Sequence, residues 1–91
     1  MSFEWDAKKA NDNLRKHGVA FYDAITIFDG VTVEQEDARF EYGEKRMRAI
    51  GALGPVVITV IYTMRGNVCR IISARQATRN ERKAYRESQG G

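Results

Sequence analysis

The chain has 91 residues, of which 43% are hydrophobic and 30% are charged, and its formal net charge at pH 7 is +3. This length and composition are typical of one globular domain, expected here over residues 1–91, and exclude intrinsic disorder. The longest apolar stretch, residues 56–62, is far shorter than the ~20 residues of a membrane-spanning helix. The N-terminal residues lack the basic and apolar regions of a secretory signal, and the single cysteine, Cys69, allows no internal disulfide. We therefore expect a cytoplasmic protein without a membrane partner.

Two helices are predicted in the first 30 residues. Asp6 can cap a helix that begins at Ala7 and ends at Gly18, which permits the left-handed conformation of a helix C-terminus. One face of this helix, at helical spacing, carries Ala7, Ala10, Leu14 and His17. A second, short helix is predicted from apolar residues at positions i, i+3, i+4 and i+7, namely Phe21, Ala24, Ile25 and Phe28.

β-Branched and apolar residues predict four strands after Gly30. The first covers residues 31–33 and leads into a turn or loop at residues 36–39, and the second covers residues 46–53. Residues 56–63 give the strongest strand signal, and we expect this strand to be central because both of its faces are apolar. A tight turn at residues 65–67 leads to the fourth strand, residues 68–75.

The spacing of Thr78 and Glu81 predicts a capping box that opens a final helix, which ends before Gly90. We therefore expect an α+β fold with two N-terminal helices, a four-stranded antiparallel sheet and a C-terminal helix. The helices are expected to cover one face of the sheet and to leave the other accessible.

Charge is divided unevenly along the chain. Residues 1–45 contain six Lys/Arg and ten Asp/Glu, whereas residues 46–91 contain nine Lys/Arg and two Asp/Glu. Between residues 65 and 86, six arginines and one lysine are opposed only by Glu81. Because the planar guanidinium suits phosphate, this asymmetry indicates a nucleic-acid partner. The alternative is a solvated basic face over which the acidic half folds, and charge alone does not decide between the two.

An ordered set of short motifs between residues 5 and 85 resembles the BrnT family of toxins. The set comprises Lys16-His17-Gly18-Val19 with Phe21, Gly43-Glu44 and Arg46 before Ile50-Gly51, Thr63 and Arg65, Arg70-Ile71-Ile72-Ser73-Ala74-Arg75, and finally Ala77, Arg79, Glu81-Arg82 and Tyr85. The resemblance implies a toxin of a type II toxin–antitoxin system, a small ribonuclease with a RelE-like fold whose partners are RNA and a neutralising BrnA-type antitoxin. It also implies that operator DNA is bound only through the antitoxin complex.

Metal-free RNA cleavage requires proton transfer at the 2′- and 5′-oxygens and neutralisation of the charge on a pentavalent phosphorane. The chain has side chains of the types needed, with His17, Glu81 or Tyr85 for proton transfer and arginines for the phosphorane. One cysteine and one histidine are too few for a structural zinc site. A carboxylate-based metal site stays open, but no clustered set of metal ligands is identified in the sequence. We therefore expect no metal and no other cofactor.

The catalytic candidates are Arg75, Arg46, His17, Lys16 and Glu81. Arg75 ranks first because it stands at a strand exit, and Arg46 belongs to the neighbouring strand. Arg70 lies five residues from Arg75, so a regular strand sends the two to opposite faces. Only a bulge or an early strand end would bring both to one site, and Arg70 otherwise pairs with an acidic residue of the first half. Arg48 lies outside the motifs and carries less weight.

Several candidates have simpler structural explanations. The ring of His17 could seal the turn at Gly18, Lys16 could be a solvated residue at a helix end, and the capping box already explains Glu81. The RNA-binding candidates are Arg65, Arg70, Arg79, Arg82 and Arg86. The last three share a helical face that is either an RNA-backbone contact or an ordinary solvated surface.

Two functions from different classes follow. The first is a metal-independent endoribonuclease that arrests growth and is held silent by an antitoxin. The alternative is a non-catalytic basic module that binds nucleic acid or a protein. The sequence leaves open whether the protein forms a homo-oligomer and which RNA it cuts.

Overall fold

The computed structural model describes residues 1–37 and 43–90. A five-stranded sheet forms its centre, with strands β1 (Ser2–Glu4), β2 (Val33–Glu36), β3 (Met47–Leu53), β4 (Val56–Arg65) and β5 (Val68–Gln76). The spatial order of the strands is β1-β5-β4-β3-β2. β1 runs parallel to β5 and the other neighbouring pairs are antiparallel, so the sheet is mixed.

The α+β class is confirmed, but the expected four-stranded antiparallel sheet is wrong. The strand that the sequence did not reveal is β1, which pairs with the first residues of β5 and directs Phe3 toward the core. Three residues are too few to show an alternation of polar and apolar side chains. A parallel partner far along the chain also leaves no hairpin turn in the sequence to mark the pairing.

The other four strands lie close to their predicted positions. β4 is the central strand, as its apolar residues on both faces predict. The strand predicted at residues 31–33 instead begins at Val33 and runs to Glu36, with alternate residues exposed. Part of the turn predicted at residues 36–39 is therefore strand, and residues 38 and 39 lie outside the described residues.

The described chain contains three α-helices and one 3-10 helix. They are α1 (Ala7–His17), α2 (Phe21–Ala24), the 3-10 helix (Ile25–Asp29) and α3 (Arg79–Ser88). The predicted caps of α1 are confirmed, because the side chain of Asp6 accepts a hydrogen bond from the N–H of Lys9 and Gly18 has a φ of 71°. None of these described helices is long and apolar enough to cross a membrane.

The 3-10 helix replaces the second half of the predicted second helix and approaches β3 closely. A Cβ atom at Gly51 would lie 2.9 Å from the Cβ of Ile27 and 3.2 Å from the Cγ2 of Thr32. Gly51 therefore allows this contact, which a larger residue would force apart.

Helices occupy both faces of the sheet, so the expectation that one face stays accessible is wrong. α1, α2 and the 3-10 helix pack on the face that carries most of the apolar core, which includes Phe21, Ala24, Ile27, Ala49, Ile58, Val60 and Ala74. α3 packs against β2 and β3 on the other face. Its Glu81 accepts a hydrogen bond from Thr59, which alternates in β4 with the core residues Ile58 and Val60 and so points away from them.

Asn13 joins α1 to the edge of β5. Its side-chain nitrogen donates to the carbonyl oxygens of Val19 (2.9 Å) and Ala74 (2.8 Å), and its side-chain oxygen accepts from the N–H of Ala74 (3.1 Å). β1 pairs with β5 only as far as Arg70. The buried Asn13 thus supplies the hydrogen bonds that a further strand residue would make, and it fixes the second half of α1 against β5.

β5 contains a β-bulge near its middle. Ile61 pairs with Ser73, and the next residue of β4, Tyr62, pairs with Ile71. Ile72 is therefore an extra residue in β5. Beyond it, the alternation of side chains between the two faces is reversed.

Candidate functional site

The arginines of β3, β4 and β5 share one face of the sheet, the face on which α3 packs. Register and alternation place there Arg48, Arg65, Arg70 and Arg75, with Arg46 directly before β3. We refer to these five side chains as the arginine face. These five arginines are spread over 30 residues of sequence, and the pairing of the strands brings them together on one surface.

The bulge at Ile72 is what brings Arg70 and Arg75 to the same face. Arg75 pairs with Thr59 and Arg70 pairs with Thr63, and these two threonines are four residues apart in β4. Residues an even number apart in a regular strand point the same way. The strand therefore contains the bulge that the sequence analysis required for Arg70 and Arg75 to share one face.

At the centre of the arginine face, Arg75 forms a two-point ion pair with Glu81 of α3. Nη1 of Arg75 lies 2.7 Å from Oε1 of Glu81, and Nη2 lies 3.1 Å from Oε2. The side chain of Glu81 is 5% exposed and that of Arg75 is 21% exposed. Arg48 donates from Nη1 to Oε2 of the same carboxylate at 3.4 Å. One buried carboxylate thus lies between two guanidinium groups.

Glu81 also accepts hydrogen bonds from two threonines. Its Oε1 is 2.9 Å from the hydroxyl of Thr59 and 2.8 Å from the backbone N–H of Thr78, and the predicted capping box is confirmed. Burial alone would raise the pKa of this carboxyl, but the bonds from Arg75, Thr78 and Thr59 outweigh it and lower the pKa to about 2. Glu81 is therefore an anion at neutral pH with both oxygens occupied. It is suited to hold Arg75 and poorly suited to carry a proton.

The guanidinium of Arg75 has one edge that Glu81 does not occupy. Besides its two bonds to Glu81, its Nη1 donates to the carbonyl of Gln76 at 3.3 Å. Within residues 1–37 and 43–90, no partner is found for its Nε–H and its second Nη2–H. These two groups lie on the same side of the planar fork, which can bind two oxygens of one phosphate.

Arg46 lies half-buried directly before β3. Its carbonyl accepts a hydrogen bond from the N–H of Asp37 at 2.8 Å, which extends the pairing of β2 and β3. The neighbouring carbonyl, of Lys45, accepts from the hydroxyl of Thr63 at 2.7 Å. Alternation with Met47 places the Arg46 side chain on the arginine face beside Arg48.

Arg70 and Arg65 each have an acidic partner from the first half of the chain. Nη1 of Arg70 is 3.2 Å from Oε2 of Glu4 in β1, so Arg70 has the acidic partner that was predicted as the alternative to a shared site. Nη2 of Arg65 is 3.7 Å from Oε2 of Glu44, and both of these side chains are more exposed than Glu81. These pairs are weaker than the central one because water screens them.

Lys16 and His17 lie in a separate groove between α1 and the bulge of β5. The groove has a volume of about 200 Å³ and is lined by Lys9, Asp12, Asn13, Lys16, His17, Ile72 and Ser73. Neither Arg75 nor Glu81 is among its described lining residues. Ser73 lines this groove and, two residues before Arg75 in β5, belongs by alternation to the arginine face, whereas α1 packs on the opposite face of the sheet.

The three arginines of α3 are exposed, whereas Glu81 of the same helix is buried. Nη1 of Arg82 donates to the carbonyl of Ala77 at 2.6 Å. The adjacent carbonyl, of Gln76, is the one that Arg75 binds. The stripe formed by Arg79, Arg82 and Arg86 therefore begins beside the centre of the arginine face.

Sequence reasoning missed Arg48, which lies outside the motifs that carry the family resemblance. A signal was present, because Arg48 stands two residues after Arg46 in a predicted strand and must share its face. The ion pair of Arg48 with Glu81 had no such signal in the sequence, because it depends on how α3 crosses over β3.

Among residues 1–37 and 43–90, no three His, Cys, Asp or Glu side chains lie together in a way that could hold a metal ion. The guanidinium groups of Arg48 and Arg75 meet around the carboxylate of Glu81, and these three groups together carry a net positive charge. Such a cluster suits an anion, and phosphate in particular.

Comparison with known proteins gives one result that agrees with this chemistry. A family model described as a ribonuclease toxin, BrnT, of type II toxin–antitoxin systems matches residues 5–81. The matched region contains the whole arginine face together with Glu81, Lys16 and His17. No curated protein shows a significant match to the chain. The resemblance inferred from the motifs is confirmed, and the chain belongs to the BrnT family of ribonuclease toxins of type II toxin–antitoxin systems.

Proposed function

We propose that this toxin cuts RNA internally without a metal ion and that Arg75, held by Glu81, is the centre of its active site. One observation carries the proposal. The guanidinium of Arg75 is fixed at two points by a buried, ionised carboxylate, and it keeps an edge for a phosphate. A positive charge held in this way needs no reorganisation when negative charge develops on a substrate.

The proposed reaction proceeds through attack of the 2′-oxygen on the adjacent phosphorus. The bond from phosphorus to the 5′-oxygen breaks, so the products carry a 2′,3′-cyclic phosphate, or a 3′-phosphate after hydrolysis, and a 5′-hydroxyl. Arg75 neutralises the phosphorane, and Arg46 assists from the same face of the sheet. Arg65 and Arg70 bind the flanking RNA backbone, which their places at the turn end of that face support.

We assign proton transfer to His17, with Lys16 beside it as a phosphate contact. Glu81 is unsuited to this role because its oxygens are occupied and its pKa is about 2. Histidine is the side chain whose ionisation lies nearest neutral pH. Ser73 lines the groove that holds His17 and belongs by alternation to the arginine face, which supports a path for RNA between the two.

We further propose that growth arrest follows from RNA cleavage and that a BrnA-type antitoxin prevents it by covering the arginine face. Acidic and apolar side chains of the antitoxin would complement the guanidinium groups and their apolar surroundings. In this proposal the antitoxin alone contacts operator DNA, and the toxin reaches it only within the complex.

Cleavage of RNA by the purified toxin in EDTA, with mapping of the product ends, tests the proposed function. We expect cutting with 2′,3′-cyclic or 3′-phosphate ends and 5′-hydroxyl ends, and no cutting of the same RNA with 2′-O-methyl groups. A requirement for Mg²⁺, or products with a 5′-phosphate, would contradict the mechanism. Tight RNA binding without cutting would favour the non-catalytic basic module instead.

A further inference from the structure

We propose that Arg48 is a second phosphate-binding arginine of the site, which contacts the scissile phosphate together with Arg75 while Glu81 positions both. This inference rests on the proposed RNA cleavage and adds a residue and an arrangement to it. Its basis is the three-residue cluster, in which guanidinium groups from β3 and β5 meet a single carboxylate from α3.

The charges of the cluster do not balance. Arg75 takes both oxygens of Glu81 at 2.7 and 3.1 Å, whereas Arg48 makes one contact, at 3.4 Å, to an oxygen that Arg75 already uses. Two positive charges therefore share one negative charge. A phosphodiester carries the single negative charge that would neutralise the remainder.

One nitrogen of Arg48 lacks a hydrogen-bond partner among the described residues. The side chain is 26% exposed, but its Nε is buried without a partner among the described residues. A buried, unpaired N–H is costly, so Arg48 keeps hydrogen-bonding capacity that the described residues do not satisfy.

The positions of the two arginines suit a two-sided contact. Arg48 pairs with Ile61 from the β3 side of β4, and Arg75 pairs with Thr59 from the β5 side. The two guanidinium groups thus reach over the central strand from opposite sides toward Oε2 of Glu81. A phosphate that contacts the exposed parts of both would have a donor on each side.

Two guanidinium groups around one phosphate favour the transition state over the bound substrate. The phosphorane carries more negative charge than the phosphodiester from which it forms, so the attraction grows as the reaction proceeds. Glu81 acts as a positioning residue, because without its negative charge the two guanidinium groups would repel each other.

Single-turnover cleavage in EDTA by the full-length toxin tests the assignment. We expect Arg48→Ala to lose rate by about 10²-fold at saturating RNA, as when one fixed donor to a developing anion is removed. Arg48→Lys should recover only part of that rate, because an ammonium lacks the planar fork. Arg15→Ala is the matched control, since Arg15 is 78% exposed on α1 and pairs with Asp12. It should cleave as the wild type does.

Chemical rescue separates a direct contact from a structural role. Ethylguanidinium in solution should restore part of the cleavage rate of Arg48→Ala and leave Arg15→Ala unchanged. Urea unfolding of each variant establishes that it is folded. A folded Arg48→Ala protein that cleaves within about threefold of the wild-type rate would overturn the assignment.

A binding experiment tests the proposed phosphate contact of Arg48 even if the protein does not cleave RNA. With mixed-sequence 2′-O-methyl RNA, neutralising one phosphate contact should flatten the slope of log affinity against log salt by about 0.7. If the wild type does not cut RNA in EDTA, the proposed function fails and this slope alone decides. An Arg48→Ala slope equal to that of the wild type would then refute the contact.

Discussion

Glu81 caps α3 and neutralises Arg75 at the same time, so one carboxylate couples the stability of the helix to the geometry of the site. Glutamine can replace glutamate in a capping box, but it cannot supply the negative charge. A Glu81→Gln variant therefore separates the two contributions. The helix cap is kept, while Arg48 and Arg75 lose their shared counter-ion.

We predict that Glu81→Gln destabilises the protein at pH 7 and that the loss shrinks in acid. The pKa of Glu81 falls from its ordinary value of 4.5 to about 2 on folding, so its ionisation stabilises the native state above pH 4.5. This stabilisation is lost as the pH falls toward 2, and its full size is roughly 3 kcal/mol. Urea unfolding should show the difference between wild type and variant narrowing by about 2 kcal/mol from pH 7 to pH 3.

Glu87→Gln provides the matched control, because Glu87 is exposed on the same helix. The stability of this variant should follow that of the wild type at both pH values. A Glu81→Gln difference that stays constant between pH 7 and pH 3 would contradict an ionised, ion-paired Glu81.

The sequence predicted individual residues where their effect is local. The N-cap of α1, the glycine that ends it and the capping box of α3 depend on neighbours within four residues, so Asp6, Gly18 and Thr78 were placed correctly. The partner of Arg75 could not be predicted in this way. The capping box explained Glu81 completely, and its ion pair depends on how α3 crosses the sheet.

At the scale of elements, Asn13 is the side chain that fixes α1 to β5. We predict that Asn13→Ala lowers the free energy of unfolding by about 3 kcal/mol, because the buried N–H and carbonyl of Ala74 lose their partner. Chemical denaturation measures the loss, and Asn11→Ala, on the exposed side of the same helix, should cost far less. Equal effects of the two substitutions would show that Asn13 does not join the elements.

The exposed arginine stripe of α3 is predicted to bind RNA without taking part in the reaction. Arg86→Ala should flatten the salt dependence of RNA affinity by about 0.7 and leave the rate at saturating RNA unchanged, because a backbone contact is the same in ground and transition states. A salt titration and single-turnover cleavage measure the two quantities. A collapsed rate with an unchanged slope would place Arg86 in the reaction centre. If neither quantity moves, the stripe is an ordinary solvated surface.

The strands show what periodicity can and cannot predict. β4 has ten residues with apolar side chains on both faces, and its central position followed from them. β1 is too short to show a pattern, and the bulge at Ile72 adds one residue without any glycine or proline to mark it. That residue reverses the alternation of side chains between the two faces. The sequence could therefore predict a shared face for Arg70 and Arg75 only if a bulge or an early strand end was present.

At the scale of the whole molecule, the arginine face is proposed to serve both RNA and the antitoxin, so the two should compete. We predict that a BrnA-type antitoxin displaces labelled 2′-O-methyl RNA from the toxin with no ternary complex, as measured by fluorescence anisotropy and native mass spectrometry. The toxin alone should show no preference for operator DNA. A stable ternary complex, or a footprint from the toxin alone, would contradict this division of roles.

The central claim is that the guanidinium of Arg75, fixed by Glu81, neutralises the charge that develops on the phosphate. Its most direct test is single-turnover cleavage in EDTA at saturating RNA by Arg75→Ala, beside the wild type and Arg15→Ala. The claim predicts a loss of about 10²-fold in rate for Arg75→Ala, with RNA affinity weakened by no more than the loss of one phosphate contact, and a wild-type rate for Arg15→Ala. A folded Arg75→Ala protein that cleaves RNA at the wild-type rate would contradict it.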